Sequence, residues 1–255
     1  FTYDIEEVKF MNLKDSFYLA GTLTLPRSQS TSPAIVLVSG SGPQNRDEEI
    51  MGHKPFWVLA DYLSNLGYAV LRYDDRGTHD SQGDFGSATT LDLALDAESG
   101  VEYLQHRDDI DAAKIVVMGH SEGGVICNIL GARIKDLSGI VSLAGTSIRG
   151  DSILQIQTRL ISKSKNASNT ELDITQSYNK EIFQAIVRSS SPTDAIDELE
   201  KISKKWTKIM YKNDIIKKNE KKDVIHSVNE TMLNPWMYEF VKYSPSVDIK
   251  NISCH

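Results

Sequence analysis

Along the first 145 or so residues, short apolar runs alternate with stretches of helical period. Residues 5–10 and 17–25 flank the polar turn 12–16 and predict an antiparallel pair of strands. Ala34-Ile35-Val36-Leu37-Val38 is nearly continuously apolar, as a central parallel strand covered on both faces should be. Pro55 suits the first position of a helix whose stripe is Phe56, Leu59, Ala60, Leu63 and Leu66, with Gly67 to end it. Residues 68–73 predict the next strand, and Leu91, Ala94, Leu95, Ala97, Val101 and Leu104 a second amphipathic helix. Residues 115–118 form a third core strand, 125–130 a helix, and 139–145 a fourth core strand. Strands alternating with helices imply an α/β fold, a mostly parallel sheet with right-handed crossovers and helices on both faces.

Beyond residue 150 the strand pattern stops. Helical spacing holds for Ile153, Ile156, Leu160 and Ile161, for Ile174, Tyr178, Ile182 and Ile186, for Ile196, Leu199, Ile202, Trp206 and Ile209, and for Val224, Val228 and Met232. Residues 150–235 are therefore expected to form an all-helical insertion on a 1–149 core, and residues 236–255 to return toward that core. An insertion of about 85 residues is far longer than an ordinary loop, which points to a functional element such as a lid. Charge changes at the same boundary: residues 1–149 carry 12 Lys+Arg against 21 Asp+Glu, and residues 150–255 carry 16 against 14. The lysines at 201, 204, 205, 208, 217, 218, 221 and 222 read most simply as a solvated outer face.

Bulk composition narrows the partners. With 255 residues, 40% hydrophobic and 25% charged, the chain has the make-up of a soluble globular protein, and its net charge of −7 argues against nucleic acid. No apolar run approaches the roughly 18 residues that cross a bilayer, so no membrane span is expected. The two cysteines, Cys127 and Cys254, lack metal-ligand spacing; neither a metal site nor any other cofactor is expected. The chain begins with Phe1 and not Met, which implies removal of an upstream segment, either a signal peptide with export or a trimmed end.

The chemistry concentrates in Lys114-Ile-Val-Val-Met-Gly-His-Ser-Glu-Gly-Gly124. A strand, then Gly119-His120-Ser121-Glu122-Gly123, then a helix is the arrangement of a nucleophile elbow. The turn is sharp enough to strain the serine backbone, and side chains at Gly119 or Gly123 would collide with their neighbours. Ser121 is thereby lifted clear of the sheet at the positive end of a helix.

Gly40-Ser41-Gly42-Pro43-Gln44-Asn45-Arg46-Asp47-Glu48, Leu71-Arg72-Tyr73-Asp74-Asp75-Arg76-Gly77 and the elbow resemble α/β-hydrolases, in particular bacterial serine esterases allied to the prolyl-oligopeptidase-like hydrolases. The likeness runs from Ile5 to about Ile252. It departs after Gly77, where Thr78-His79-Asp80-Ser81 replaces the usual second glycine. The resemblance implies Ser121 as nucleophile on an ester or amide carbonyl. It also implies an oxyanion hole made by the backbone N–H groups of Glu122 and Ser41, with Gly42 the neighbouring candidate. Small-molecule esters or amides are the implied substrates; a carboxylesterase is the first reading. A peptidase of the same fold and a catalytically dead binding relative are the alternatives.

In this fold the triad acid and histidine follow the seventh and eighth strands. The strand at 139 is the sixth and the seventh should start near Ile252, so both residues are expected beyond His255, with the last strands missing. Among the histidines present, His120 lies inside the elbow pointing away from the hydroxyl, His53 suits a cap or a pocket wall, and His79 and His106 suit the surface. His226 follows the nucleophile but on an insertion helix, and His255 is terminal. Asp248 is the only late carboxylate. Without strands seven and eight, the apolar strand at 139–144 would be an open edge, from which self-association, a swapped element or cover by a further segment is expected.

Overall fold

The computed structural model describes residues 2–12, 14–28 and 30–254; Phe1, Leu13, Gln29 and His255, with the reading of His255 given above, lie outside the described residues. The chain divides into two compact units, Phe1–Ser147 with Pro245–His255, and Ile148–Ser244.

The first unit holds a six-stranded sheet. Its strands are β1 (Tyr3–Asn12), β2 (Phe17–Pro26), β3 (Ser32–Val38), β4 (Ala69–Tyr73), β5 (Ile110–His120) and β6 (Gly139–Leu143), in the order β1-β2-β4-β3-β5-β6. The β1–β2 and β2–β4 pairs are antiparallel, and the β3–β4, β3–β5 and β5–β6 pairs parallel. All five residues of β4 are buried, Arg72 among them, as are Ala34–Val38 of β3, so these two strands are the centre of the sheet. In β5, Ile115 and Val117 are fully buried and Val116 and Met118 half-buried, because helices cover the two faces unequally.

Helix α1 (Pro55–Asn65) covers one face, packing Phe56 and Ala60 on Ile35, Leu37 and Val70. Helices α2 (Thr90–Gln105) and α3 (Glu122–Arg133) approach the other face at glycines: a side chain on Gly100 would touch Leu71, and one on Gly131 would press on Ile140. A capping box, Thr89 with Asp92, starts α2. Among the described residues β6 pairs only with β5, and its Ile140, Val141 and Leu143 are half-buried.

The second unit comprises α4 (Gly150–Ser164), α5 (Asn169–Arg188), α6 (Pro192–Lys212), α7 (Glu220–Met232) and α8 (Pro235–Lys242). Ser168, Ser191 and Asn234 cap α5, α6 and α8 with their side chains. The core of the unit gathers Ile182, Phe183, Ile186, Leu199, Ile202 and Val228 with Tyr238 and Val241 of α8. The segment expected to return to the sheet from residue 236 is thus helix α8 of this unit. Pro235 sits in its first turn, Trp236 stacks on Phe240 at 5.0 Å, and the return starts at Pro245. The short α9 (Ser246–Ile249) belongs to the sheet unit and packs on α3. No described helix is long and apolar enough to cross a membrane.

Candidate active site

Strand β5 ends at His120 and α3 begins at Glu122, which leaves Ser121 as the whole of the turn. Its backbone stands at φ 53°, ψ −112°, a conformation that costs a non-glycine residue roughly 1–3 kcal/mol. Two hydrogen bonds hold it there: Ser121 N–H donates to Leu143 O at 2.8 Å, and Gly124 N–H donates to Ser121 O at 3.0 Å. The glycines around it answer to the space available. A Cβ on Gly119 would sit 2.8 Å from Gly124 N and closer still to the Gly123 carbonyl. One on Gly123 would sit 2.7 Å from Ser39 O and closer still to Val38 O. The tight turn predicted from residues 119–123 is present, and half-buried Ser121 is at its apex.

The loop after β3 passes directly beside the serine. A Cβ on Gly40 would lie 3.2 Å from Ser121 Cβ, 3.3 Å from Glu48 Oε1 and 3.4 Å from His120 Nδ1. Buried carboxylates fix this loop. Asp75 accepts from the Ser39 hydroxyl and from Gln44 N–H, both at 2.8 Å, and Asp75 N–H donates back to Gln44 O at 3.1 Å. Burial pushes the Asp75 carboxyl up to about 7, against the lowering effect of those two donors. Arg46 forks onto Asp74 at 2.6 and 3.1 Å and also pairs with Glu7. Buried Arg72 pairs with Asp47, and burial lowers its pKa.

Of the predicted site residues, Ser121 and Ser41 are on segments brought together here, Ser41 being the neighbour of Gly40. Glu122 is the first residue of α3, and its buried carboxylate accepts from Thr90 Oγ1 at 2.6 Å, which gives the side chain a structural tie. No hydrogen bond joins a histidine to the Ser121 hydroxyl among the described residues. His120 directs Nδ1 to Glu48 Oε1 at 2.8 Å, and His106 directs Nδ1 to Glu102 O at 2.7 Å. His53 and His79 are exposed, and His226 is exposed on α7 of the helical unit. Asp248 lies on α9. Glu48, Asp75, Ser39 and Thr90 were given no role by sequence reasoning. The Asp74-Asp75 pair after an apolar strand was the available signal, because carboxylates at a strand end beside a tight loop supply acceptors for its N–H groups.

A mostly parallel six-stranded sheet with helices on both sides, carrying a glycine-flanked strand–serine–helix turn, defines an α/β-hydrolase. The family model described as serine aminopeptidase, S33, matches residues 55–212, and the chain belongs to that family. The chain is 30% identical over 176 residues to Esterase EstD of Thermotoga maritima, a match taking in 69% of this chain and 40% of that enzyme. It therefore spans less than half the length of that relative. Two solved structures share the fold. They are the α/β hydrolase GrgF from Penicillium (21% identity, TM-score 0.50, 64% of this chain and 53% of that one) and the Pyrococcus furiosus esterase Pf2001 (18%, 0.50, 61% and 55%).

Proposed function

We propose that the protein is a serine hydrolase that cleaves carboxylic esters through an acyl-enzyme on Ser121. One observation carries the reading: Ser121 is held at a costly positive φ at the N-terminus of α3, so near the loop after β3 that a Cβ on Gly40 would lie 3.2 Å from the serine's own Cβ. Ser121 Oγ would attack the ester carbonyl and pass its proton to a general base. Collapse of the tetrahedral intermediate would break the C–O bond, with the alcohol leaving as that proton is returned to it. Water would then repeat the sequence on the acyl-enzyme and release the acid.

The intermediate's oxyanion is assigned to the N–H groups of Glu122 and Ser41. Gly40 N–H is engaged by Glu48 Oε1 at 2.8 Å, so Ser41 is the next amide along the loop. Removing one such donor typically costs about 3 kcal/mol of transition-state stabilisation. The general base and its acid are assigned to residues outside those described. The helical unit, Ile148–Ser244, is proposed as the lid that selects the acyl group.

The family model's description favours amide cleavage as the second reading. Short-chain p-nitrophenyl esters and aminoacyl p-nitroanilides, given to the whole encoded protein and its Ser121→Ala variant, separate the two. Ester turnover that vanishes in the variant supports the esterase. Anilide turnover exceeding ester turnover would replace it with the peptidase, and turnover surviving in Ser121→Ala would end both.

A further inference from the structure

Glu48 is the most unusual acidic residue near the elbow. It is 3% exposed and stands at φ 50°, a left-handed conformation for which glycine is the cheaper residue. It is the last residue of the Gly40–Glu48 stretch, and its side chain is turned inward. A buried carboxylate is tolerated only when its oxygens are hydrogen-bonded. Glu48 Oε1 meets two donors. Gly40 N–H donates from the loop after β3 at 2.8 Å, and His120 Nδ1 stands at 2.8 Å from the residue just before the nucleophile.

These two partners belong to the two segments that form the proposed reaction centre. Gly40 precedes Ser41, the amide assigned to the oxyanion, and His120 precedes Ser121. One oxygen atom therefore ties the oxyanion loop to the nucleophile turn. A Cβ added to Gly40 would be in contact range of all three: Ser121 Cβ, Glu48 Oε1 and His120 Nδ1. Asp75 holds the loop through Ser39 and Gln44.

We propose that Glu48 is a positioning residue of the hydrolase: it clamps Gly40 against His120 and so fixes the distance between the Ser41 N–H and the Ser121 hydroxyl before substrate arrives. A donor held in place needs no reorganisation as negative charge develops on the carbonyl oxygen, which is where such a contact acts on rate and not on binding. The left-handed backbone at Glu48 goes together with the inward placement of its carboxylate.

The proposal rests on the serine hydrolase reading, and two variants test it. Glu48→Gln keeps the shape and the acceptor oxygen. Glu48→Met keeps nearly the same length but removes the acceptor. In the whole encoded protein, Glu48→Met should lower kcat for a short-chain ester at least tenfold with KM within about twofold, and Glu48→Gln should stay within about threefold of the parent. Hydrogen exchange at the Gly40 amide should rise at least tenfold in Glu48→Met and stay near the parental rate in Glu48→Gln, with the amides of Ile115, Val116, Val117 and Met118 unchanged.

A Met variant equal to the parent in kcat and in Gly40 exchange would overturn the clamp. So would a loss carried by KM, or a Gln variant as damaged as the Met variant. If the parent neither turns over ester nor reacts at Ser121, the hydrolase reading fails, while Gly40 exchange still decides whether Glu48 holds the loop.

Discussion

Adding one methyl group at Gly123 tests the elbow geometry without touching the serine. An alanine Cβ there lies 2.7 Å from Ser39 O, 2.8 Å from the Val38 carbonyl carbon, and nearer still to Val38 O. All three atoms are backbone, at the end of a strand whose Val38 is in register with Gly119. No side chain can turn aside to make room, so either the start of α3 or the end of β3 must move. Overpacking costs about 1–3 kcal/mol in cores that can adjust, and with rigid backbone on both sides the upper end applies. At about 3 kcal/mol, a chain of this size should lose roughly 6–12 °C in Tm.

Gly131→Ala is the control. The nearest neighbours of its Cβ would be the Ile140 methyl carbons, at 3.2 and 3.3 Å, and Cys254 Sγ at 3.5 Å, all of them side-chain atoms. Alanine in a helix interior gains about 1 kcal/mol over glycine, which offsets that crowding and should leave Tm within about 2 °C. Calorimetry on the two variants decides. Gly123→Ala melting with the parent, or Gly131→Ala falling as far as Gly123→Ala, would refute the account of the turn.

Asp75 should make the sheet unit pH-sensitive. Its folded pKa is raised to about 7, so its contribution to stability is full below about pH 4 and is lost as pH rises through 7. Parental Tm should fall across that window more steeply than that of Asp75→Asn, and parallel curves would contradict the assignment. The helical unit should exchange its amides faster than Ile115, Val116, Val117 and Met118 of β5, as a moving lid requires; equal protection would remove the lid reading. The open side of β6 should drive self-association of the 255-residue chain. Light scattering should show concentration-dependent mass that drops in Val141→Lys, and a monomer at every concentration would count against the edge.

The sheet was legible in the sequence because parallel strands buried on both faces leave continuous apolar runs, as residues 34–38 do, while residues 69–73 are broken only by Arg72. Four helices of the second unit were legible from their period. Helix α8 was not, because in eight residues Trp236, Tyr238, Phe240 and Val241 show too little period to separate a helix from a returning strand. Its cap signal, Asn234 before Pro235, was the better guide. At the site, the glycines of the elbow pointed to Ser121, since only a collision explains two glycines flanking one serine. Glu48 was hidden for the opposite reason. Its partner His120 is 72 residues away, and its role depends on a positive φ that no pattern of residue types announces.

The central claim, that Ser121 is the nucleophile, is tested most directly by a fluorophosphonate added to the whole encoded protein, with the adduct mapped by mass spectrometry. The account predicts a single phosphonylated residue, Ser121, and no adduct in Ser121→Ala. An adduct on any other serine, with Ser121 unmodified, would contradict it.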